Sequence, residues 1–268
     1  MVMRAQDLLK LGGEERIIAE ETTGLSRQQM LLYPHKEIPE QIAALLKKRL
    51  ASLKEGRPLQ YILGYWEFEG RRFEVGEGVL IPREDTSALV TLAKEALSGK
   101  KDALFADLGS GSGIIAATLS LDLNINGYAV EKSEKAFEYL SRNIKNLSAD
   151  VTAVCGDMFS TETLESLPQL DLVVSNPPYI TADEMKELDS NVLKEPHDAL
   201  FGGSDGLDFY REICKVYYSK IKEGGALAFE VGFKQADDVA ELMKAAGFKN
   251  IKEQKDINGI RRAVCAFK

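Results

Sequence analysis

The sequence predicts an α/β protein with a doubly wound, mostly parallel sheet of seven strands, preceded by a small helical domain. From residue 103 onward, short strand patterns alternate with helical patterns, which is the order that a parallel sheet requires. A glycine-rich loop follows the first strand, and Asn176-Pro177-Pro178-Tyr179 follows the fourth. Near the end, Asn258-Gly259 separates two strand patterns and predicts a hairpin, so the sheet should finish with an antiparallel strand.

The net charge of the 268-residue chain is −8, and it is unevenly distributed. Residues 1–75 hold 12 Lys and Arg against 11 Asp and Glu, whereas the remainder holds 22 against 31. A protein that tracks nucleic acid normally has a basic face that neutralises phosphates. The acidic sheet domain therefore argues against a DNA or RNA duplex as the direct substrate.

The cysteine and histidine content argues against a metal site. The three cysteines, Cys155, Cys214 and Cys265, are scattered, and the chain has only two histidines. These positions form no metal or redox spacing. The first residues lack the apolar core of a signal peptide, and no stretch approaches the roughly 18 apolar residues of a membrane span. We therefore expect a cytoplasmic protein that holds no metal and is not membrane-bound.

Residues 1–64 are predicted to form a helical domain. Apolar residues at helical spacing indicate a helix over 39–54, and shorter helices are expected near 5–11, 14–21 and 26–33. Apolar and charged residues then alternate on both sides of Glu69-Gly70, a pattern typical of a hairpin. Its apolar residues should form one packed face: Trp66, Phe68, Phe73 and Val75. The chain thus divides into a helical domain 1–64, a hairpin linker 65–83 and a sheet domain 84–268.

Five strand patterns follow in the sheet domain, at residues 103–108, 125–130, 151–156, 170–175 and 226–231. Open α/β sheets bind their ligands just outside the carboxyl ends of their strands. Two acidic residues stand at such ends, Glu131 after the second strand and Asp157 after the third. We interpret Glu131 as an acceptor for both ribose hydroxyls of a nucleoside, and Asp157 as a residue that faces an adenine amino group.

The glycine-rich loop indicates an adenosyl ligand without phosphates. The loop and the acid before it comprise Asp107, Gly109, Ser110, Gly111, Ser112 and Gly113. Glycines let the backbone approach a ligand closely, and the following helix offers free N–H groups. A dinucleotide fingerprint would need glycine or alanine where Ile114 stands, and no lysine follows for a triphosphate. With Glu131, this favours S-adenosylmethionine over the alternative, a tight turn with surface carboxylates.

The Asn176-Pro177-Pro178-Tyr179 segment is predicted to bind a planar group that carries an –NH2. Two consecutive prolines remove two backbone donors and stiffen the turn, and the residue before them is held extended. The Asn176 side-chain oxygen and the Pro177 carbonyl can then each accept one N–H, while Tyr179 covers the planar face. The alternative is a proline-rich loop that merely ends a strand.

These motifs together resemble the class I methyltransferases, and more narrowly the release-factor glutamine methyltransferases (the HemK/PrmC family). The resemblance covers nearly the whole chain, through segments 58–64, 80–83, 107–113, 176–180, 195–200 and 203–211. It implies a Rossmann-like methyltransferase fold with S-adenosylmethionine as methyl donor. It also implies the substrate, the glutamine of the Gly-Gly-Gln loop in peptide chain release factors, and an amino-terminal domain that helps hold the release factor.

The resemblance further implies roles for single residues. The positions that resemble the family's cofactor contacts are Gly109, Gly111, Gly113 and Glu131, with Met158 against the adenine. Asn176 and Pro177 would hold the glutamine amide, with Tyr179 packed on it. Two places depart from the family pattern. Residues 84–87 read Glu-Asp-Thr-Ser where the family usually has Pro-Glu-Thr-Glu, and the acid at position 131 is commonly Asp.

The sequence is compatible with two alternative functions. A nucleic-acid adenine amino-methyltransferase would use the same proline turn on a flipped base, although the acidic domain argues against it. A binding or scaffold protein with a vestigial cofactor fold would need neither the intact glycine loop nor Asn176. Transfer of a labelled methyl group to release factor, to nucleic acid or to neither distinguishes the three.

Overall fold

A computed structural model describes residues 2–189 and 191–268 of the chain. The chain divides into two compact units, Met1–Tyr65 with Asp189–Lys194, and Trp66–Leu188 with Glu195–Lys268. The sequence does not predict that residues 189–194 join the first unit, because no local pattern marks a contact so distant along the chain. The functional division at residues 64 and 83 stays a prediction.

The first unit is helical. Its helices are α1 (Ala5–Leu8), α2 (Gly13–Thr23), α3 (Arg27–Leu32), α4 (Glu40–Lys54) and α5 (Leu59–Leu63). Ser26 caps α3, because its hydroxyl accepts from the Gln29 N–H at 3.3 Å while the Gln29 side chain accepts from the Ser26 N–H at 2.9 Å. The sequence does not predict α5, since five residues are too few to show a helical period.

A hairpin of β1 (Tyr65–Phe68) and β2 (Arg71–Glu74) forms where the alternating pattern predicts it. Its turn residues Glu69 and Gly70 have φ angles of 48° and 70°, as a tight two-residue hairpin requires. The expected single packed face divides between two clusters. Phe68 and Phe73 join the core beneath the large sheet, whereas Val75 packs with Trp66.

The second unit is built around a seven-stranded sheet with the order β5-β4-β3-β6-β7-β9-β8. Its strands are β3 (Phe105–Leu108), β4 (Gly127–Glu131), β5 (Val151–Cys155), β6 (Leu170–Ser175), β7 (Ile221–Glu230), β8 (Lys249–Lys255) and β9 (Arg261–Phe267). Strands β3 to β7 run parallel. The chain leaves β5 at one edge and returns as β6 beside β3. This reversal creates a switch point, where doubly wound sheets hold their ligands.

Helices cover both faces of this sheet. They are α6 (Thr86–Leu97), α7 (Ile114–Leu123), α8 (Glu134–Leu147), α9 (Thr161–Ser166), α10 (Asp208–Tyr217) and α11 (Ala236–Ala245). Alternate residues of β6 serve opposite faces. Leu172 and Val174 pack in the cluster that contains α6 and α7, and Val173 packs in the cluster that contains α10 and α11. Because β6 is buried on both faces, its sequence is a short, mostly apolar run and not an alternating pattern.

The carboxyl-terminal hairpin confirms the predicted antiparallel ending. β9 runs antiparallel to both β7 and β8 and lies between them. The Asp256 carboxylate closes the turn by accepting from the N–H groups of Asn258 at 2.8 Å and Ile260 at 2.9 Å. In the part of the chain that the structure describes, no helix is both long and apolar enough to cross a membrane.

Candidate active site

A cavity of about 870 Å³ opens at the carboxyl ends of the central parallel strands. One part of its wall, which we call the glycine side, comprises residues 109–112, 131, 157 and 158. The other part, the proline side, comprises residues 82, 83, 86, 176 and 178. The two sides flank the switch point between β3 and β6. The structure thus brings the sequence motifs after four different strands together around one space.

The glycine loop turns sharply between β3 and α7. Gly109, Gly111 and Gly113 have φ angles of 69°, 56° and 84°, in the left-handed region. At Gly113 a Cβ atom would also lie 2.6 Å from the Leu140 side chain, so this position accepts no other residue without a shift of its neighbour. Gly113 is buried and lies off the cavity wall, whereas residues 109–112 line it.

Glu131 fastens the glycine loop from the end of β4. One carboxylate oxygen accepts from the Gly111 N–H at 2.8 Å, and the other accepts from the Ser133 N–H at 2.8 Å. The side chain lines the cavity although the residue is only 9% exposed. Each carboxylate oxygen has a second lone pair. Glu131 therefore retains the capacity to accept hydroxyl groups of a ligand while it holds the loop.

Asp157 and Met158 form the next part of the glycine side, after β5. The Asp157 carboxylate accepts from the Phe159 N–H at 2.9 Å and pairs with Lys132 at 2.9 Å, and these contacts lower its pKa. Asp157 is therefore charged at neutral pH. The Met158 side chain lies over Gly109, and its carbonyl accepts from the Tyr217 hydroxyl at 2.6 Å.

Asp107 lies beneath the glycine loop and does not line the cavity. One of its carboxylate oxygens accepts from the Ala116 N–H at 3.2 Å. The other, Oδ1, is buried without a hydrogen-bond partner among the described residues. Burial raises the pKa of this carboxyl to about 7. The structure therefore places Asp107 behind the loop, with one carboxylate oxygen that accepts no hydrogen bond from the described residues.

The proline turn continues directly from β6. Asn176 and Pro178 line the cavity, whereas Pro177 is buried and Tyr179 lies partly buried off the wall. Burial raises the pKa of the Tyr179 hydroxyl, so the ring remains neutral. The structure thus brings Asn176 to the position that the sequence predicts, while the contact between Tyr179 and a substrate stays a prediction.

Residues distant in sequence clamp the proline turn. The Gln235 side chain donates to the Tyr179 carbonyl at 3.0 Å and accepts from the Gly232 N–H at 3.0 Å. A Cβ atom at Gly202 would lie 2.6 Å from the Pro178 carbonyl oxygen, so the two backbones touch there. The Ile180 N–H also donates to the Leu200 carbonyl at 2.9 Å. The turn is therefore held by backbone contacts as well as by its own prolines.

A buried carboxylate joins two segments at the cavity rim. Glu195 accepts from the Ile81 N–H at 2.9 Å and forms an ion pair with Arg83. Pro82 and Arg83 line the cavity from the segment before α6. Pro196 and His197 line it from the segment before α10. Glu195 thus holds the segments before α6 and before α10 together.

Comparison with known proteins identifies the family. The model of the PrmC N-terminal domain matches residues 13–64, and that of the methyltransferase small domain matches residues 85–205. The release factor glutamine methyltransferase of Bacillus cereus is 37% identical over 249 residues, which is 90% of this chain and 87% of that protein. The enzyme of the same name from Flavobacterium psychrophilum is 37% identical over 254 residues, covering 92% and 88%. The chain belongs to the release factor glutamine methyltransferase family.

A likeness to solved structures confirms the fold. The catalytic domain of hMettl16, crystallised with the MAT2A 3′UTR hairpin 6, matches with a TM-score of 0.58 at 15% identity. The match covers 81% of this chain and 91% of that chain. At this identity the likeness concerns the fold alone. Family membership and fold together confirm the predicted enzyme class, an S-adenosylmethionine-dependent methyltransferase.

The two departures from the usual pattern of the release factor glutamine methyltransferases have local explanations. In the 84–87 segment, Asp85 pairs with Arg262 at 3.1 Å and Thr86 is the buried first residue of α6. The longer Glu131 reaches two backbone N–H groups at once. Motif reading misses Glu230, which ends β7 behind Asn176, because the strand pattern at residues 226–231 is otherwise wholly apolar. An acid at the tip of a buried strand is the signal that would have indicated it.

Proposed function

We propose that this protein transfers a methyl group from S-adenosylmethionine to the side-chain amide nitrogen of the glutamine in the Gly-Gly-Gln loop of peptide chain release factors. The observation that carries the proposal is the proline turn on the cavity wall, opposite an acidic glycine side, in a chain of this family. The turn offers acceptors for an amide N–H. The glycine side offers a place for an adenosyl group.

The glycine side fits S-adenosylmethionine by its donors and charges. Glu131 and Asp157 line it, and Asp107 lies buried beneath it with one unpartnered oxygen. Carboxylates would repel phosphates but suit ribose hydroxyls, an adenine amino group and a positive charge. We assign the cofactor contacts to residues 109–112, 131, 157 and 158, with Asn176 at the border of the two sides and with Asp107 and Gly113 supporting the loop from behind the wall. When bound, the cofactor supplies an activated methyl group.

The proline side orients the acceptor. An amide nitrogen is a weak nucleophile, because its lone pair is delocalised into the carbonyl. In our proposal, the Asn176 side-chain oxygen and the Pro177 carbonyl each accept one N–H of the glutamine amide. They hold the nitrogen in position and stabilise the positive charge that develops on it. Tyr179 packs against the planar amide, and Pro178 keeps the turn rigid.

We further propose that the helical unit helps hold the release factor. Among the described residues, nine large apolar side chains are exposed, and seven of them lie in the first unit. Leu31, Leu32 and Tyr33, at the end of α3, are 60%, 72% and 61% exposed. Clustered exposed apolar side chains favour contact with another protein. Among its described residues, the unit contributes none to the cavity wall.

A cytoplasmic location accords with the thiols. All three cysteines are free, and Cys155 is exposed. Exposed thiols persist unpaired in a reducing compartment. We therefore propose that the enzyme works in the cytoplasm, where release factors act.

Methyl transfer to intact release factor tests the proposed function. The experiment incubates the enzyme with methyl-labelled S-adenosylmethionine and release factor, DNA or RNA in parallel. We expect label on release factor at one methyl group per molecule, and none when the Gly-Gly-Gln glutamine is replaced by glutamate. Label on nucleic acid instead, or on the glutamate variant equally, would contradict the proposal.

A further inference from the structure

The side chain of Glu230 is buried directly behind the proline turn. In the sheet register Ser175 of β6 pairs with Phe229 of β7, so the next residues, Asn176 and Glu230, are neighbours. Side chains alternate between faces along a strand. Leu172 and Val174 on β6 and Ala228 on β7 pack on the α6 face, so Asn176 and Glu230 both continue that face.

Glu230 does not itself reach the cavity. The residue is 2% exposed, whereas its neighbours Asn176 and Thr86 both line the cavity wall. A buried acid behind two wall residues cannot touch a substrate. It can act only through the groups in front of it.

The Glu230 carboxylate has an unused acceptor. Its Oε2 atom is buried without a hydrogen-bond partner among the described residues, and so is the Thr86 hydroxyl. Polar interactions with Thr86 and Asn176 favour the charged form of Glu230, although they fall short of well-formed hydrogen bonds at Oε2. A buried acceptor without a partner is costly and is rare in folded proteins. A rotation of the Asn176 side chain would provide this acceptor with a hydrogen-bond donor.

The charged groups around Glu230 leave it without a counterion of its own. Among the described residues, Arg262 is a cation whose charge acts on Glu230, but it pairs with Asp85 at 3.1 Å and with Asp256 at 3.1 Å. Tyr179 is neutral, and the Tyr210 hydroxyl donates to the Glu230 backbone carbonyl at 2.8 Å. Burial therefore dominates and raises the pKa of Glu230 to about 7.

We propose that Glu230 is a positioning residue that accepts a hydrogen bond from the Asn176 side-chain NH2 and so turns the Asn176 oxygen toward the substrate amide. The inference rests on the proposed function, because it assigns the Asn176 oxygen to the glutamine N–H. An asparagine amide has a donor end and an acceptor end of nearly equal size. A carboxylate behind it selects one orientation, since it can only accept.

The protonation state of Glu230 then controls the orientation. A protonated carboxyl can donate to the Asn176 oxygen and occupy the acceptor that the substrate needs. As pH rises through about 7, the pKa of this buried carboxyl, the acid becomes an acceptor and releases that oxygen. Methyl transfer should therefore rise with pH through this range.

A double-mutant cycle tests the inference. Wild type, E230Q, N176A and the double variant are compared by single-turnover methyl transfer to release factor between pH 6 and 9. We expect E230Q to lower the rate about 10-fold or more at pH 8, because the neutral amide is a weaker acceptor and its NH2 can donate to the Asn176 oxygen that the substrate needs. In the N176A background the same change should cost less than about 2-fold, because the two residues act as one unit.

The pH profile and a matched control complete the test. The rise in rate near pH 7 should vanish in E230Q and also in N176A. Because N176A retains Glu230, it tests the inference even if E230Q does not fold. E253Q removes a carboxylate from β8 of the same sheet, where it pairs with Arg261, and should retain the rate and the pH profile. Additive losses in the cycle, or a rise near pH 7 that persists in N176A, would overturn the inference. A wild-type enzyme that methylates no release factor would refute the proposed function instead.

Discussion

The glycine side and the proline side of the cavity are held in place in different ways. On the glycine side, Glu131 at the end of β4 fastens Gly111 and Ser133 by its own carboxylate, and Asp157 is fastened by Phe159 two residues away. On the proline side, the turn is clamped by residues from distant segments, such as Gln235 and Gly202. The glycine side is thus held mainly by carboxylates of its own wall, with one bond from the distant Tyr217 to Met158, whereas the proline turn is held by residues outside its wall.

Because the two sides are held independently, we expect each to control a different measurable quantity. Substitutions on the glycine side should change the dissociation constant of S-adenosylmethionine, and substitutions on the proline side should change the rate of methyl transfer. The four predictions below test that separation.

The largest effect is expected at Asn176. N176A removes the side-chain acceptor and should lower the single-turnover rate by about 100-fold or more, as loss of one preorganised polar contact typically does. The cofactor dissociation constant should change less than about 3-fold, because the glycine side is untouched. N176D retains an oxygen of the same size but adds a charge that can pair with the sulfonium, so we expect a partial loss. Near-normal turnover in N176A would mean that the proline turn is only structural.

The next effect is expected at Glu131. E131A removes a charged acceptor and releases Gly111, so the cofactor dissociation constant should rise by roughly 10- to 100-fold. Isothermal titration calorimetry with S-adenosylmethionine measures it. E131D restores the shorter acid that is common in the family and should bind within a few-fold of wild type. Unchanged affinity in E131A would show that the glycine side does not hold the ribose through this carboxylate.

A smaller effect on turnover is expected at Gln235. Q235A removes the bond to the Tyr179 carbonyl and should lower the methyl-transfer rate roughly 3- to 10-fold, with cofactor affinity retained. Q169A is the matched control, because Gln169 donates to the Ser219 carbonyl at 3.1 Å on the surface and does not line the cavity. If Q235A changed the cofactor affinity and left the rate unchanged, the two sides would not control affinity and rate separately.

An effect of similar size, on KM alone, is expected in the helical unit, outside both sides. Changing Leu32 to Asp together with Tyr33 to Ser removes two exposed apolar side chains and should raise the KM for intact release factor by about 5-fold, the cost of one moderate interface contact. The rate constant and cofactor affinity should not change. I257D, at a 90% exposed apolar residue in the second unit, serves as the control. An unchanged KM would argue against this surface as the contact with release factor.

The contrast also explains what the sequence can predict. The alternation of strands and helices, the carboxyl-terminal hairpin and the positions of Glu131 and Asn176 follow from short patterns. Glu131 and Asn176 each stand at the end of an apolar run. The clamp around the proline turn does not, because its parts lie up to 56 residues from Tyr179 along the chain. Glu230 also stands near the end of an apolar run, but that run does not reveal which residues Glu230 contacts. Of its partners, Asn176 directly follows β6 and Thr86 begins α6. The sheet register brings Asn176 beside Glu230, and the packing of α6 against β7 brings Thr86.

The position of β9 has a consequence for how the enzyme acquires its activity. This strand leaves the ribosome after β7 and β8, yet it is inserted between them and contacts Glu230 through Ala263. β9 is the last strand of the sheet to be synthesised, so its pairing with β7 can form only at the end of translation. During translation the glycine side can therefore assemble first, while β7 still has an open edge. The proline side gains its final support only when β9 has docked, so a nascent chain should acquire the ability to bind cofactor before it acquires the ability to transfer the methyl group.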